Sequence, residues 1–97
     1  SGAAITSEST VVRAAHVLSA DLADETVMAD LDRGSYFGLN RTASWIWKQL
    51  GAPRSVCELC DVAVNTFRVD PDTCRREVVN LLTDMRNQRL IDVCQPG

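Results

Sequence analysis

The stretch TVMADLDRGSYFGLNRTASWIW, from Thr26 to Trp47, leaves this chain little choice of fold. Val27, Ala29 and Leu31 alternate with Met28 and Asp30, the period of two that marks a half-buried strand. Asp32-Arg33-Gly34 follows as a hairpin connection, in which Gly34 can take the positive φ that a three-residue loop needs. Ser35 to Leu39 then runs back as a second strand, with Phe37 and Leu39 on the core parity and Tyr36 on the other. Asn40 can cap a helix at once, because Ala43, Ile46, Trp47 and Leu50 fall at i, i+3, i+4 and i+7. A hairpin feeding directly into an aromatic-bearing helix implies one compact α+β unit.

The flanking segments extend that unit. Val11 to Leu22 reads as a weaker strand, placed at about Ala14 to Ser19, and Asp21 to Glu25 is polar enough to be the turn into the hairpin. Three antiparallel strands in sequence make a meander. Residues 1–10 are small and polar and are expected to form a frayed tail, with Ser1-Gly2-Ala3 reading as the scar of a cleaved tag. Residues 11–97 are expected to form a single domain. Helix 1, from about Arg41 to Leu50, stops at Gly51-Ala52-Pro53. Helix 2 opens with the capping box Ser55-Val56-Cys57-Glu58 and carries Val56, Leu59, Cys60, Ala63 and Phe67 on one face. Helix 3 opens with Asp70-Pro71, a cap followed by proline at the first helical position, and runs to about Arg89. Its core stripe is expected at Cys74, Val78, Leu81 and Met85, with Leu90 to Val93 leaving it as a short extended tail. The order is βββααα.

Composition narrows the function. At 97 residues, with 45% apolar and 24% charged, the chain can bury one modest core. No apolar run approaches the ~18 residues of a membrane span. Residues 1–10 lack the basic start and apolar block of a signal peptide, so a cytoplasmic location without membrane attachment is expected. A net charge of −3 argues against nucleic acid as the main partner. Acids gather early, at Asp21, Asp24, Glu25, Asp30 and Asp32, whereas helix 3 carries Arg75, Arg76, Arg86 and Arg89. That asymmetry reads either as a solvated helix face or as a means of steering an acidic peptide.

Little in the chain could carry chemistry. Cys57 and Cys60 form a C-x-x-C, but no βαβ context precedes it, and His16, Cys74 and Cys94 show no ligand-like pairing. The four cysteines are expected to be reduced structural thiols, with zinc binding and thiol redox chemistry as the alternatives. The single histidine, His16, lies in the weakest strand with no partner suggested by spacing, and no glycine-rich phosphate loop exists. The chain is read as a non-enzyme, with no cofactor and no metal.

A binding surface remains. Ser35, Tyr36, Phe37, Gly38 and Leu39 form the last strand of the meander, hence a sheet edge with half its backbone groups unpaired. Gly38 within it would let a second backbone approach closely. On helix 3, Val79 and Leu82, flanked by Arg75 and Arg86, form a second apolar stripe about 100° from the expected core stripe. This is either a wide helix buried against two neighbours or a groove wall rimmed by arginines. An exposed edge beside an apolar wall is what strand addition requires.

The succession of an apolar strand, D-x-x-x-G-x-Y-F-x-L-N and a helix bearing I-W resembles the PqqD-like family, over roughly His16 to Leu90. These are recognition elements for the leader peptides of ribosomally made, modified peptides. The sequence is most similar to the small stand-alone members of lasso peptide biosynthesis. The resemblance implies a winged-helix-like arrangement and a leader peptide bound between the third strand and the third helix. That role falls on Ser35 to Leu39 and on Arg75, Val79, Leu82 and Arg86. The implied partners are the precursor's leader, a separate cysteine protease acting as leader peptidase, and a macrocyclase. The four cysteines lie outside the family pattern. The same module in another modified-peptide or quinone-cofactor pathway is the alternative. A winged-helix DNA-binding regulator is a further one, against which the acidic balance and strand order weigh.

Overall fold

The computed structural model describes residues 4–22 and 25–94. Its elements are β1 (Thr10–Arg13), β2 (Val17–Leu22), β3 (Glu25–Asp30), β4 (Ser35–Leu39), α1 (Arg41–Gln49), β5 (Arg54–Ser55), α2 (Val56–Phe67), α3 (Pro71–Asn87) and β6 (Ile91–Cys94). The expected meander is present as the antiparallel sheet β2-β3-β4, and the three expected helices follow it.

Its first strand lies at Val17–Leu22, not at about Ala14 to Ser19. The apolar alternation from Val11 to Leu22 belongs to two strands in different sheets. The break between them is a turn in which the Val17 amide donates to the Ala14 carbonyl. The earlier strand, β1, pairs with β5 and β6 in a second antiparallel sheet of order β5-β1-β6. The expected tail at Leu90–Val93 is therefore a ladder strand, with Val11 opposite Val93 and Arg13 opposite Ile91. Residues 5–10 are also docked: Ile5 is buried, and the carbonyls of Ser7 and Ser9 accept from the amides of Cys57 and Val56. The suggested tag scar at 1–3 and the centre of the turn between β2 and β3 lie outside the described residues.

The strand β3 buries the parity opposite to the one its apolar residues suggest. Thr26, Met28 and Asp30 are buried, whereas Leu31 is 60% exposed and Val27 also faces out. Asp30 accounts for the inversion. Its Oδ1 accepts from the amides of Asp32 (3.0 Å) and Arg33 (3.1 Å), tying down the loop that ends at Gly34 with φ +68°. His16 Nε2 and Arg33 Nε stand 3.7 and 3.9 Å from its Oδ2. A buried carboxylate is tolerable where the loop supplies donors and cations stand close. The cross-strand register places Leu18, Ala20, Val27, Ala29, Tyr36 and Gly38 together on the outer face.

The helices start where the sequence predicts. Asn40 Oδ1 accepts from the Ala43 amide, Ser55 and Glu58 form the reciprocal capping box, and Asp70 accepts from Thr73 ahead of Pro71. The helix α1 lies against the inner face of the meander, and Trp47 locks it there. Trp47 is buried, and its Nε1 donates to Ser19 Oγ at 3.0 Å. The Arg13 guanidinium stands 4.6 Å from its ring centroid and donates to its carbonyl at 2.7 Å. One side chain thus joins both sheets to α1. Around it the core closes with Val11, Met28, Ile46, Leu50, Val56, Leu59, Leu82, Leu90 and Ile91.

On α3 the stripe expected from sequence is shifted. Cys74, Val78 and Met85 are buried as expected, but the fourth core position is Leu82, fully buried, and Leu81 is only partly buried. The assignment of Leu82 to a stripe outside the core is corrected accordingly. Both leucines continue an apolar series from Val78, at i+3 and i+4. The choice falls to Leu82 because α3 packs against α2 on one side and β6 on the other.

Candidate functional site

The strand β4 pairs with β3 on one side only, so its outer backbone edge is open within the described residues. Tyr36 is 80% exposed, while Phe37 and Leu39 are half-buried and pack against the core, as their parity predicts. A Cβ placed on Gly38 would meet no atom within 4 Å, so nothing crowds this part of the edge. Its register with β3 runs from Ser35 opposite Asp30 to Leu39 opposite Thr26.

One residue, Asn40, separates β4 from α1. Beyond that junction lies an apolar cleft of about 170 Å³ between the three helices. Thr42, Trp45 and Ile46 of α1 form one wall, Ala63 and Phe67 of α2 the floor with Val69, and Cys74, Glu77, Val78 and Leu81 of α3 the other wall. Trp45 and Phe67 meet edge to face, with ring centroids 5.1 Å apart and planes at 74°. Phe67 and Val69 remain exposed although apolar, so the cleft offers a hydrophobic surface to solvent. Glu77 is the one carboxylate in its lining.

The residues predicted from sequence divide between several places. Ser35, Tyr36, Phe37, Gly38 and Leu39 form the open edge. Arg75 and Val79 sit on the far side of α3 from the cleft, where they line a shallow depression with Thr6, Ser7, Arg76 and Asn80. No residue of β4 lines either this depression or the cleft, but the cleft is joined to β4 through α1, which begins one residue beyond it. Arg75 Nη2 is already held by Asp72 at 3.0 Å. Leu82 is in the core, and Arg86 is half-buried in the last turn of α3. Sequence reasoning missed the cleft residues Trp45, Phe67, Val69 and Leu81. The available signal was Trp45, a large aromatic that falls outside the Ala43, Ile46, Trp47, Leu50 stripe of its own helix.

Cys74 lines this cleft, and Cys60 lies next to it. Burial, reinforced by the neighbouring Cys74, Cys57 and Asp61, pushes the Cys60 thiol up to about 11. Burial, with Glu77 adding to it, also raises Cys74, whose thiol points toward the Cys60 carbonyl at 4.0 Å. These are thiols that stay protonated at neutral pH. Among the described residues no group of three or more His, Cys, Asp or Glu converges as a metal site, and no helix is long and apolar enough to cross a membrane.

Comparison with known proteins gives four findings. Residues 25–91 match the family model described as coenzyme PQQ synthesis protein D (PqqD). A solved structure of TbiB1 in complex with the TbiA(beta) leader peptide superposes with a TM-score of 0.77 and 31% sequence identity, covering 84% of this chain and 94% of that one. A lasso peptide synthetase B1 complexed with the leader peptide superposes with a TM-score of 0.73 at 20% identity, covering 84% of this chain and 96% of the other, which bears on the fold. Curated protein sequences give no match.

Proposed function

Because the chain belongs to the PqqD family, we propose that it binds the leader region of a ribosomally made precursor of the lasso peptide type. The observation that carries this reading is the edge of β4, unpaired among the described residues, one residue ahead of the helix α1, whose Thr42, Trp45 and Ile46 line an open apolar cleft. The leader lies along Ser35–Leu39 as an added strand, and its backbone pairs with the side of β4 that faces away from β3. An apolar side chain of the leader enters the cleft between Trp45, Phe67, Val78 and Leu81. Leu82 acts from beneath by holding α3 in place. Arg75, Val79 and Arg86 lie on the face of α3 away from the cleft and meet a longer stretch of the peptide.

The complex of TbiB1, 31% identical to this chain, with a leader peptide supports the reading. The chain supplies affinity and placement, and bond-making belongs to its partners. A separate cysteine protease removes the captured leader, and a macrocyclase closes the ring. This takes place in the cytoplasm, where the four thiols stay reduced. The family description favours a second reading, in which the captured precursor is that of a quinone cofactor. Side-by-side titration with leaders of both kinds separates the two.

The test uses the fluorescently labelled leader half of the precursor encoded beside this chain's gene. Binding should be saturable, and Leu81→Asp should abolish it, because an apolar anchor would meet an unpaired charge. Amide exchange should slow along Ser35–Leu39 on adding the leader. Unchanged binding by Leu81→Asp, or protection along the other sheet edge at Val17–Leu22, would place the peptide elsewhere.

A further inference from the structure

The apolar cleft continues past Trp45 into a second hollow. Its lining is Arg41, Thr42, Ser44, Trp45, Lys48 and Phe67, of which Thr42, Trp45 and Phe67 also line the cleft. Arg41, Trp45 and Lys48 are spaced i, i+4 and i+7 on α1, so a cation stands on either side of the indole along one helical stripe. No carboxylate lines this hollow. Several other cations are matched: Arg33 stands 3.9 Å from Asp30, Arg54 3.9 Å from Glu58 and Arg75 3.0 Å from Asp72. The side chains of Arg41 and Lys48 form no ion pair or hydrogen bond with any described residue. Arg41 also opens a helix whose first turn holds no acidic residue, so it adds positive charge where the helix dipole is already positive. In a chain of net charge −3, two such cations beside an aromatic pair form a local positive field that no described carboxylate meets in an ion pair.

We propose that this hollow is an acidic subsite of the peptide groove, in which Arg41 and Lys48 hold carboxylates of the bound peptide close to its apolar anchor. The proposal rests on the leader-binding reading above. Seven residues of helix place the two cations about 10 Å apart along the axis. An extended peptide covers that distance in about three residues. The selected ligand is therefore a leader with Asp or Glu within about three positions of the side chain that fills the cleft. Carboxylates on the α3 side would meet Glu77 and be repelled. Strand addition by itself fixes neither register nor direction strongly. A charge pairing on one flank of the anchor fixes both.

The experiment titrates the labelled leader against the wild-type chain, Arg41→Gln/Lys48→Gln and Arg41→Glu/Lys48→Glu. A second leader carries Asn or Gln in place of every Asp and Glu near the anchor. Both cations are exposed, and far-UV circular dichroism verifies that the variants fold. The double charge reversal should weaken binding about tenfold or more at low salt, and high salt should narrow the difference. The amide leader should bind wild type and double reversal alike. The proposal falls if wild type binds the leader but charge reversal shifts affinity by less than about twofold, the range of an idle surface charge. It also falls if the amide leader binds wild type as tightly as the native one. A wild-type chain that binds no leader at all is a separate outcome, which brings down the leader-binding reading and the subsite with it.

Discussion

Leu81 and Leu82 adjoin in sequence but lie about 100° apart on α3, and the structure gives them different surroundings. Leu82 is fully enclosed, so Leu82→Ala should cost about 2–5 kcal/mol in urea unfolding through the cavity it leaves. Leu82→Arg should not fold. Leu81→Ala should lose less stability, because the side chain lines an open cleft, yet it should weaken leader binding in the same titration. The sequence carried the apolar series on α3 but not the choice between the two leucines, which depends on where α2 and β6 lie. The same holds for β3, where Val27, Ala29 and Leu31 look like the core set until Asp30 is seen to be tied to the loop. Thiol reactivity gives a second expectation at this scale. With Cys60 pushed up to about 11 and Cys74 raised by burial, neither offers much thiolate near neutral pH. Iodoacetamide should therefore label the exposed Cys57 ahead of both, as read by peptide mass spectrometry.

The elements that were legible are those whose signals are local. Asn40, Ser55 with Glu58, and Asp70 with Pro71 each mark a helix start through atoms three residues away, and each start is where it was expected. The strands β1 and β6 were missed because their partners lie at opposite ends of the chain, and periodicity in one segment says nothing of the other. The open edge of β4 was legible from strand order alone. The cleft was not, being assembled from three helices between Thr42 and Leu81. Asp70 gives α3 a pH dependence with a definite sign. Its bonds from Thr73, amide first and hydroxyl second, hold the carboxyl below its ordinary 3.8. The cap's contribution is thus complete above that ordinary value and is lost as pH falls through the lower, folded one. Helicity followed by circular dichroism should fall in that acid range more steeply in wild type than in Asp70→Asn, which keeps a capping oxygen that does not titrate.

At the scale of the whole molecule, the chain is closed by the sheet β5-β1-β6, while the candidate groove is built from residues that lie between β1 and β6 in the sequence. Thr10 lies directly opposite Cys94, so the start of the first strand and the end of the last are ladder neighbours, about 5 Å apart at their Cα atoms. This geometry makes the order of the elements along the chain separable from their arrangement in space. A short glycine-serine linker joining the two old ends, with new ends opened at the exposed Gly51-Ala52-Pro53 connection, should yield a circular permutant that folds to the same structure. Its leader affinity should match that of the parent in the same titration, since β4, α1 and their junction remain in one piece. The same adjacency makes the domain suited to insertion within a loop of another protein, host and guest meeting where Thr10 and Cys94 pair.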